Sequence, residues 1–593
     1  MTEIVFDIET TGLDWHAEDA KMHIMCVGDL KGNRGQHSSP QEAVDVLNSA
    51  DLIIGHNIIG FDIPYLEYIT GKKINSKVFD TKVVAGLMFP DVKAIKGTRG
   101  PQSLVCWGIR LGIHKGEFGK TTDWKTISSE MIEYCHQDVT VTVALYKYLV
   151  ASGVPEEAYE METLVSKIFQ KQIERGVGFN KEKAIQLMIK LTKAAEEKRA
   201  ELQEIFKPRY VNLGQKECKR TRLSDEVEYT KGVKYSDIEL QEFNPDSNDQ
   251  IAQRFSDKYN WVPDTFTPTG KPKVDVGVLS ELEYPEARSL IELSKISKLM
   301  GYVSDGKDSW LRHEKNGKIH GQIVNTGVDT ARCMHFSPNL AQVPKKNSEY
   351  GAACRELFVP IHPNHVMVGC DASALEFRCL AHYLAPYDKG RLAKIVEESD
   401  IHQSNADLLG CDREMAKHFL YAVLYGARAR KLTTILNCSL ERAQKLISTF
   451  ENSMPGYKEF SAALEKSAMK GWIKGLDGRR IPLNKPEPSK WGKMEADYKR
   501  LNYLLQSAGA ILMKKALCIA YNKNPEIEFI LNIHDEIQVS VDKDNNLVDK
   551  DNNLVDNTGK LLVDSIREAG EYFNFRCKLD AEYKIGNSWA ETH

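Results

Sequence analysis

The sequence reads as an α/β domain followed by a longer α+β region, and three observations lead there. Residues 1 to about 150 alternate apolar, strand-like runs with helical segments. The Gly153-Val-Pro155 punctuation then closes that pattern. Beyond it, charged helical stretches give way to strand-like segments that end in carboxylates, around Asp371 and Asp535. A chain of 593 residues is too long for one core. A boundary is therefore expected at 153, with domains 1–153 and 154–593.

Taken in order, Ile4 to Ile8 is a strand and Asp51-Leu-Ile-Ile-Gly a second, buried one. Ser129 to Leu149 has the pattern of a helix. Glu156 to Phe206 is long, charged and helical, and Lys207 to Glu242 breaks that pattern with polar residues. Regular structure is expected to resume near Phe243-Asn-Pro. His365 to Ala385 reads as a strand running into a helix, Arg413 to Leu436 as strongly helical, and Ile530 to Val541 as strand-turn-strand. Asp-Lys-Asp-Asn-Asn-Leu-Val occurs at 542–548 and again at 549–555, too short a tandem for a solenoid; it reads as a duplicated surface loop.

Composition excludes some classes. Hydrophobic content of 42% and charged content of 27% are ordinary for a globular protein. No apolar run looks long enough for a bilayer, and no signal peptide precedes the first strand, so no membrane partner is expected. The 12 cysteines are scattered without a C-x-x-C pair, which argues against a zinc site or a disulfide framework and fits a reducing cytosol. Net charge is −4, so any nucleic-acid binding must come from local basic patches.

Asp7 and Glu9 sit two apart on a strand and share a face. Asp62 follows Gly55-His-Asn-Ile-Ile-Gly-Phe at the end of the second strand, and Tyr134 and Asp138 are four apart on a helix. Four converging carboxylates repel unless cations are present. Two Mg²⁺ or Mn²⁺ ions, roughly 3.5–4 Å apart, would relieve that and permit phosphodiester hydrolysis. Singly, Asp62 could cap a helix and Tyr134 could be packing. In the order D-x-E, N-x-x-G-F-D, Y-x-x-x-D, they resemble the motifs of DEDDy exonucleases. That resemblance implies a ribonuclease H-like 3′→5′ exonuclease domain, with Asp7, Glu9, Asp62 and Asp138 on the metals and Tyr134 orienting the attacking water.

The second set is larger. Asp371 ends one strand, and His534-Asp535-Glu536 forms the turn of a hairpin. Two aspartates from separate strands suit a two-metal phosphoryl transfer, although an H-D-E alone is more often a charged tip. Arg413, Lys417, Tyr421 and Tyr425 recur every four residues as one helical stripe: cations for phosphates, rings for sugar and base. D-A-S-A-L-E-F-R at 371–378, R-E-M-A-K-H-F-L-Y-A-V-L-Y-G at 413–426 and H-D-E at 534–536 resemble motifs A, B and C of family A DNA polymerases, bacterial polymerase I and especially the replicative enzymes of short-tailed phages. D-T-A-R-C at 329–333, P-N-L-A-Q at 338–342 and L-L-Q-S-A-G-A at 504–510 match as well.

That resemblance implies a right hand: thumb at about 156–315 with an insertion at 207–242, palm at about 316–400 and 525–593, fingers at about 401–524. It implies that Asp371 and Asp535 hold two metals, that Glu536 assists near the primer terminus, and that His402, Arg413 and Lys417 contact the triphosphate. Glu376 would exclude a 2′-hydroxyl, Tyr421 meet the sugar and Tyr425 shape the templating pocket. Arg332 and Gln506 would touch the minor groove, where every base pair shows an N3 or O2 acceptor.

The implied activity is templated DNA synthesis from deoxynucleoside triphosphates on a primer-template, with proofreading, in the host-cell cytoplasm. Helicase-primase and single-stranded DNA-binding protein are compatible partners. A single-subunit RNA polymerase is the main alternative, opposed by Glu376 and the exonuclease; a bare nuclease or DNA-binding accessory protein is the second. The chain opens at the exonuclease, so a 5′ nuclease domain is not expected and replication is favoured over repair. The insertion is shorter than that of phage relatives that recruit thioredoxin, so no thioredoxin dependence is expected. It reads either as a solvated loop or as a flap whose cations meet duplex phosphates.

Overall fold

The computed structural model describes residues 2–113, 124–224, 227–399, 401–424, 427–436, 438–488, 494–543 and 554–593. Two compact units emerge: residues 1–179 with 315–593, and residues 180–314.

The first unit begins with a five-stranded sheet. Glu3–Thr10 lies at its centre, antiparallel to Met22–Gly28 and parallel to Leu52–Gly55; Arg34–His37 and Lys77–Asp80 form the edges. The central strand is buried on both faces because its apolar residues do not skip positions. Phe6 and Ile8 pack with Leu47, Ile53 and Tyr65 on one side, while Val5 packs with Ile24, Ile54, Cys135 and Val139 on the other. Alternation then places Asp7 and Glu9 on the Val5 side, toward the helix Ser129–Ala151.

A second sheet in this unit has four antiparallel strands, in the order Glu528–Ile533, Glu536–Asp542, His365–Ala372, Ala581–Gly586. The helices Leu375–Asp388 and Arg500–Lys523 contribute to the apolar core that also takes in this sheet. The latter helix departs from expectation: by length and composition it is apolar enough to span a bilayer, yet 78% of its apolar window is buried in the protein. It is a core helix.

Other corrections concern boundaries. Residues 156–206 are two helices, Glu156–Arg175 and Lys181–Ile205, because Gly176 adopts φ 70° and the chain runs into the strand Val177–Phe179. That strand pairs with Lys318–Ile319 and Phe358–Val359, and Phe179 N–H donates to Gly317 O at 2.8 Å. Asp62 is the first residue of the helix Asp62–Thr70 rather than the end of a strand. Of the tandem repeat, residues 544–553 lie outside the described residues, and Leu554-Val555 open the helix Leu554–Tyr572 instead of a loop.

The unit 180–314 has its own core, in which Phe206, Phe243 and Phe255 meet and Tyr259 stacks on Tyr284 at 3.9 Å. Within it, residues 207–242 are not a loop. Arg209–Glu217 pairs antiparallel with Lys234–Gln241, with Val211 opposite Glu239, and Arg222–Ser224 pairs with Val227–Tyr229. Regular structure thus does not wait for Phe243. The segment escapes sequence reading because its strands are mostly exposed on both faces, so no apolar alternation marks them.

Candidate active sites

The first site lies on the five-stranded sheet. Ile8 N–H donates to Asp62 Oδ1 at 3.2 Å, which pins the start of the Asp62 helix against the central strand. From the Ser129–Ala151 helix, Cys135 and Asp138 point to the same place, one turn apart. Ligand atoms of Asp7, Glu9 and Cys135 all lie within 4.8 Å of one another, with Cys135 Sγ 3.8 Å from Asp7 Oδ2. Burial, with the nearby charges of Asp80 and Asp138, pushes the Asp62 carboxyl up to about 7. Tyr134 is half-buried beside Trp124, ring centroids 6.3 Å apart. The four carboxylates expected here are therefore gathered by one strand and two helices, and Tyr134 lies one turn before Asp138 on the second of these helices.

Two groups at this site were not foreseen. The Cys135 thiol is pushed well above its usual range by burial, so it stays protonated and donates to Asp7 O at 3.4 Å. Asp80 caps the helix Thr81–Met88 and also accepts from Asn57 N and Ile59 N, at 2.8 and 3.0 Å, shaping the turn that leads to Asp62. A buried Asp at a strand-helix junction is a signal the sequence does carry.

The second site is built on the four-stranded sheet. Asp371 pairs in register with Glu536, and Ala372 N–H donates to Asp535 O at 3.0 Å, so the two aspartates are neighbours. Asp371 reaches solvent, yet the recess around it removes much of its hydration. That desolvation, with Asp535 and Glu536 close by, pushes its carboxyl up to about 7. His534 turns the hairpin with φ 57°. Glu536 is directed inward: buried, it accepts from Trp589 Nε1 at 2.5 Å and Gln538 Nε2 at 2.6 Å, and lies 2.9 Å from His593 Nδ1. It is a fixed charge beside Asp371 rather than an acid presented at the hairpin tip. The partners that hold it, Gln538, Trp589 and His593, have no role assigned to them from sequence.

One cavity is lined by Arg332, Glu376, Gln506, His534 and Asp535. Arg332 Nη2 lies 3.1 Å from Glu376 Oε1. Tyr421 packs edge-on against Phe377, and its hydroxyl is pushed up to about 12 by burial and by the charges of Glu376, Asp535 and Asp371. Arg413 and Lys417 precede it by two turns and one turn on the helix Arg413–Leu424, whose Ala416, Phe419, Leu420 and Leu424 are buried. Of His402 only its place on the helix Ile401–Leu409 is described, and Tyr425 lies outside the described residues.

A model described as DNA polymerase family A matches residues 215–591. The chain belongs to DNA polymerase family A. This family A chain is 28% identical to a DNA-directed DNA polymerase of Enterobacteria phage T3, over 98% of its own length and 97% of the other. It is 29% identical to the DNA-directed DNA polymerase of Escherichia phage T7, over 91% and 92% respectively. DNA polymerase I of Pseudomonas aeruginosa is 26% identical over 60% of this chain and 39% of its own. In fold, the chain resembles the POL domain of Pol1 from M. smegmatis, solved in complex with DNA primer-template and dNTP, with a TM-score of 0.77 and 17% identity over 99% and 96% of the two chains. The expected family A membership and phage-type likeness stand, and the RNA polymerase alternative falls.

Proposed function

We propose that this family A DNA polymerase extends primer 3′ ends by two-metal chemistry at Asp371 and Asp535, and removes mispaired 3′ ends at a second, ribonuclease H-like site on residues 1–153. The observation that carries both halves is shared: each site buries a carboxylate beside others, so that desolvation first and neighbouring charge second hold Asp371 and Asp62 near 7. Oxygen donors under mutual repulsion fit hard divalent cations.

Asp371 and Asp535 would hold the ions at the first site, and Asp7, Glu9, Asp62 and Asp138 at the second. Bound Mg²⁺ or Mn²⁺ supplies charge neutralisation and a lowered pKa for the attacking oxygen. The chain's own groups do the rest. Arg413 and Lys417 receive triphosphate oxygens from one helix face. Glu376, steadied by Arg332, occupies the space a 2′-hydroxyl would need. Arg332 and Gln506 offer donors to minor-groove acceptors and so test pair geometry without reading sequence. Tyr134 directs its hydroxyl to the water that attacks the scissile phosphate. In this reading the unit 180–314 lies within the thumb at about 156–315, with palm and fingers divided near 400 and 525.

Primer extension and 3′ degradation, assayed side by side, test the proposal. Asp371→Ala should abolish extension and spare degradation of single-stranded DNA; Asp7→Ala with Glu9→Ala should do the reverse. A double variant that still degrades DNA from its 3′ end would remove the exonuclease assignment, and an Asp371→Ala protein that still extends primers would remove the other.

A further inference from the structure

We propose that His362, His365 and Glu528 form a site for a divalent transition-metal ion, best suited to Zn²⁺, at the end of the four-stranded sheet remote from Asp371 and Asp535. One ligand atom from each of the three lies within 4.8 Å of the other two. His362 and His365 are brought together by a turn closed by His365 N–H donating to His362 O at 3.1 Å, and their rings stand 4.7 Å apart. Glu528 begins the neighbouring hairpin and pairs with Ser540 on the strand between.

The details suit a metal. The Glu528 oxygens are divided: Oε1 is 3.9 Å from Arg175 Nε, while Oε2 is buried, lies 3.5 Å from His365 Nδ1, and accepts no hydrogen bond among the described residues. His365 Nδ1 is 2.9 Å from Ser540 Oγ. Rotation of the Ser540 hydroxyl selects the tautomer: with Nδ1–H donating there, Nε2 keeps its lone pair, and with Oγ–H donating instead, Nδ1, the nitrogen facing Glu528, keeps it; either is the outer contact that orients metal-binding histidines. Zn²⁺ binds imidazole and carboxylate at about 2.0–2.2 Å. His362 is exposed, so its ring has room to turn toward the other two ligands. Two histidines and a carboxylate are a poor match for Mg²⁺, which prefers oxygen, and a good one for borderline ions.

The consequence is structural rather than chemical. His365 and Asp371 are six strand steps apart, ~20 Å at the usual rise, so the ion takes no part in phosphoryl transfer. It would join the start of the strand that ends at Asp371 to the start of the strand that leads into the Asp535 turn.

The test uses the full-length chain with Mg²⁺ in excess to fill the carboxylate sites. Bound Zn²⁺ is counted by equilibrium dialysis, and Co²⁺ is substituted for its visible absorption. Wild type should bind one Zn²⁺ at least tenfold more tightly than His362→Ala, and the Co²⁺ band of a site with nitrogen ligands should vanish in that variant. Ser540→Ala should weaken binding by about 10–100-fold. In EDTA, His362→Ala should melt with wild type, since the position is exposed; Zn²⁺ should raise the wild-type midpoint alone. Equal Zn²⁺ affinity and equal Co²⁺ spectra in wild type and His362→Ala would overturn the site, whatever happens to polymerisation.

Discussion

At the level of single residues, carboxylates held out of water beside one another are the dominant fact. Asp371 titrates near 7 in the fold against 3.8 for an ordinary aspartate, so between those values the folded state binds more protons than the unfolded chain. Stability therefore falls as pH rises from about 4 to 7 through this group, and the loss is complete above 7. Asp371→Asn removes it. In EDTA the variant should melt higher than wild type at pH 8 and show no such gain near pH 4, and added Mg²⁺ should close the gap at pH 8 by stabilising wild type. Equal melting at pH 8 would mean that the carboxylate is not strained. Tyr421 offers a second residue-level outcome. Its hydroxyl feels the charges of Glu376, Asp535 and Asp371, and in the proposed polymerase role it would hydrogen-bond near the triphosphate and stand in for the 3′-hydroxyl that a dideoxy sugar lacks. Wild type should incorporate dideoxynucleotides almost as readily as deoxynucleotides, and Tyr421→Phe should discriminate much more strongly; competitive single-nucleotide incorporation measures the ratio. Unchanged discrimination would remove the role of the hydroxyl.

Between elements, a buried ionic cluster sets positions. Glu162, on the helix Glu156–Arg175, is 2.6 Å from Arg479 Nη1 and 2.7 Å from Lys514 Nζ, and Asn325 Nδ2 donates to it at 2.6 Å. Arg479 also pairs with Asp477. Three segments, those of Glu162, Asn325 and Asp477–Arg479, are thereby fixed around the helix that carries Gln506 and Lys514, and all the charges are nearly inaccessible. Removing one member strands the others, which costs roughly 3–5 kcal/mol. Glu162→Ala should lower stability by about that much in chemical denaturation, whereas an exposed pair such as Lys72 with Asp45 should cost under about 1 kcal/mol when broken. The ribbon at 209–241 is a different kind of element. Its strands carry Arg209, Lys216 and Lys234, and Tyr210, Leu213, Ile238 and Leu240 stay exposed. Deleting 212–238 and joining Val211 to Glu239, which already face each other, through a short Gly-Ser linker should leave the rest of its unit folded. If its cations meet duplex phosphates, the run length per binding event should shorten at low salt and converge with wild type as salt rises. An unchanged run length would leave the ribbon without a role on DNA, and stimulation of wild type by thioredoxin would contradict the expected independence.

For the whole molecule, what could be read in the sequence was whatever local spacing encodes. Asp7 and Glu9 share a face because strands alternate, Tyr134 and Asp138 because helices turn every 3.6 residues, and these rules hold before folding. Glu162, Lys514 and Arg479 could not be paired that way, since they meet only across hundreds of residues of chain. The inward turn of Glu536 was hidden for the same reason: Trp589 and His593 reach it from the far end of the sequence. The ribbon was missed because exposure on both faces erases the alternation that marks a strand. The connectivity between the two units also matters in practice. The chain leaves the first unit after Phe179 and returns to it at Lys315, and the flanking strands are zipped together, Gly178 opposite Lys318. Every carboxylate assigned to either reaction lies outside the excursion. The 180–314 segment is thus spliced in through a two-stranded stem, a place where a shorter or foreign cassette could be exchanged while both catalytic registers stay in frame.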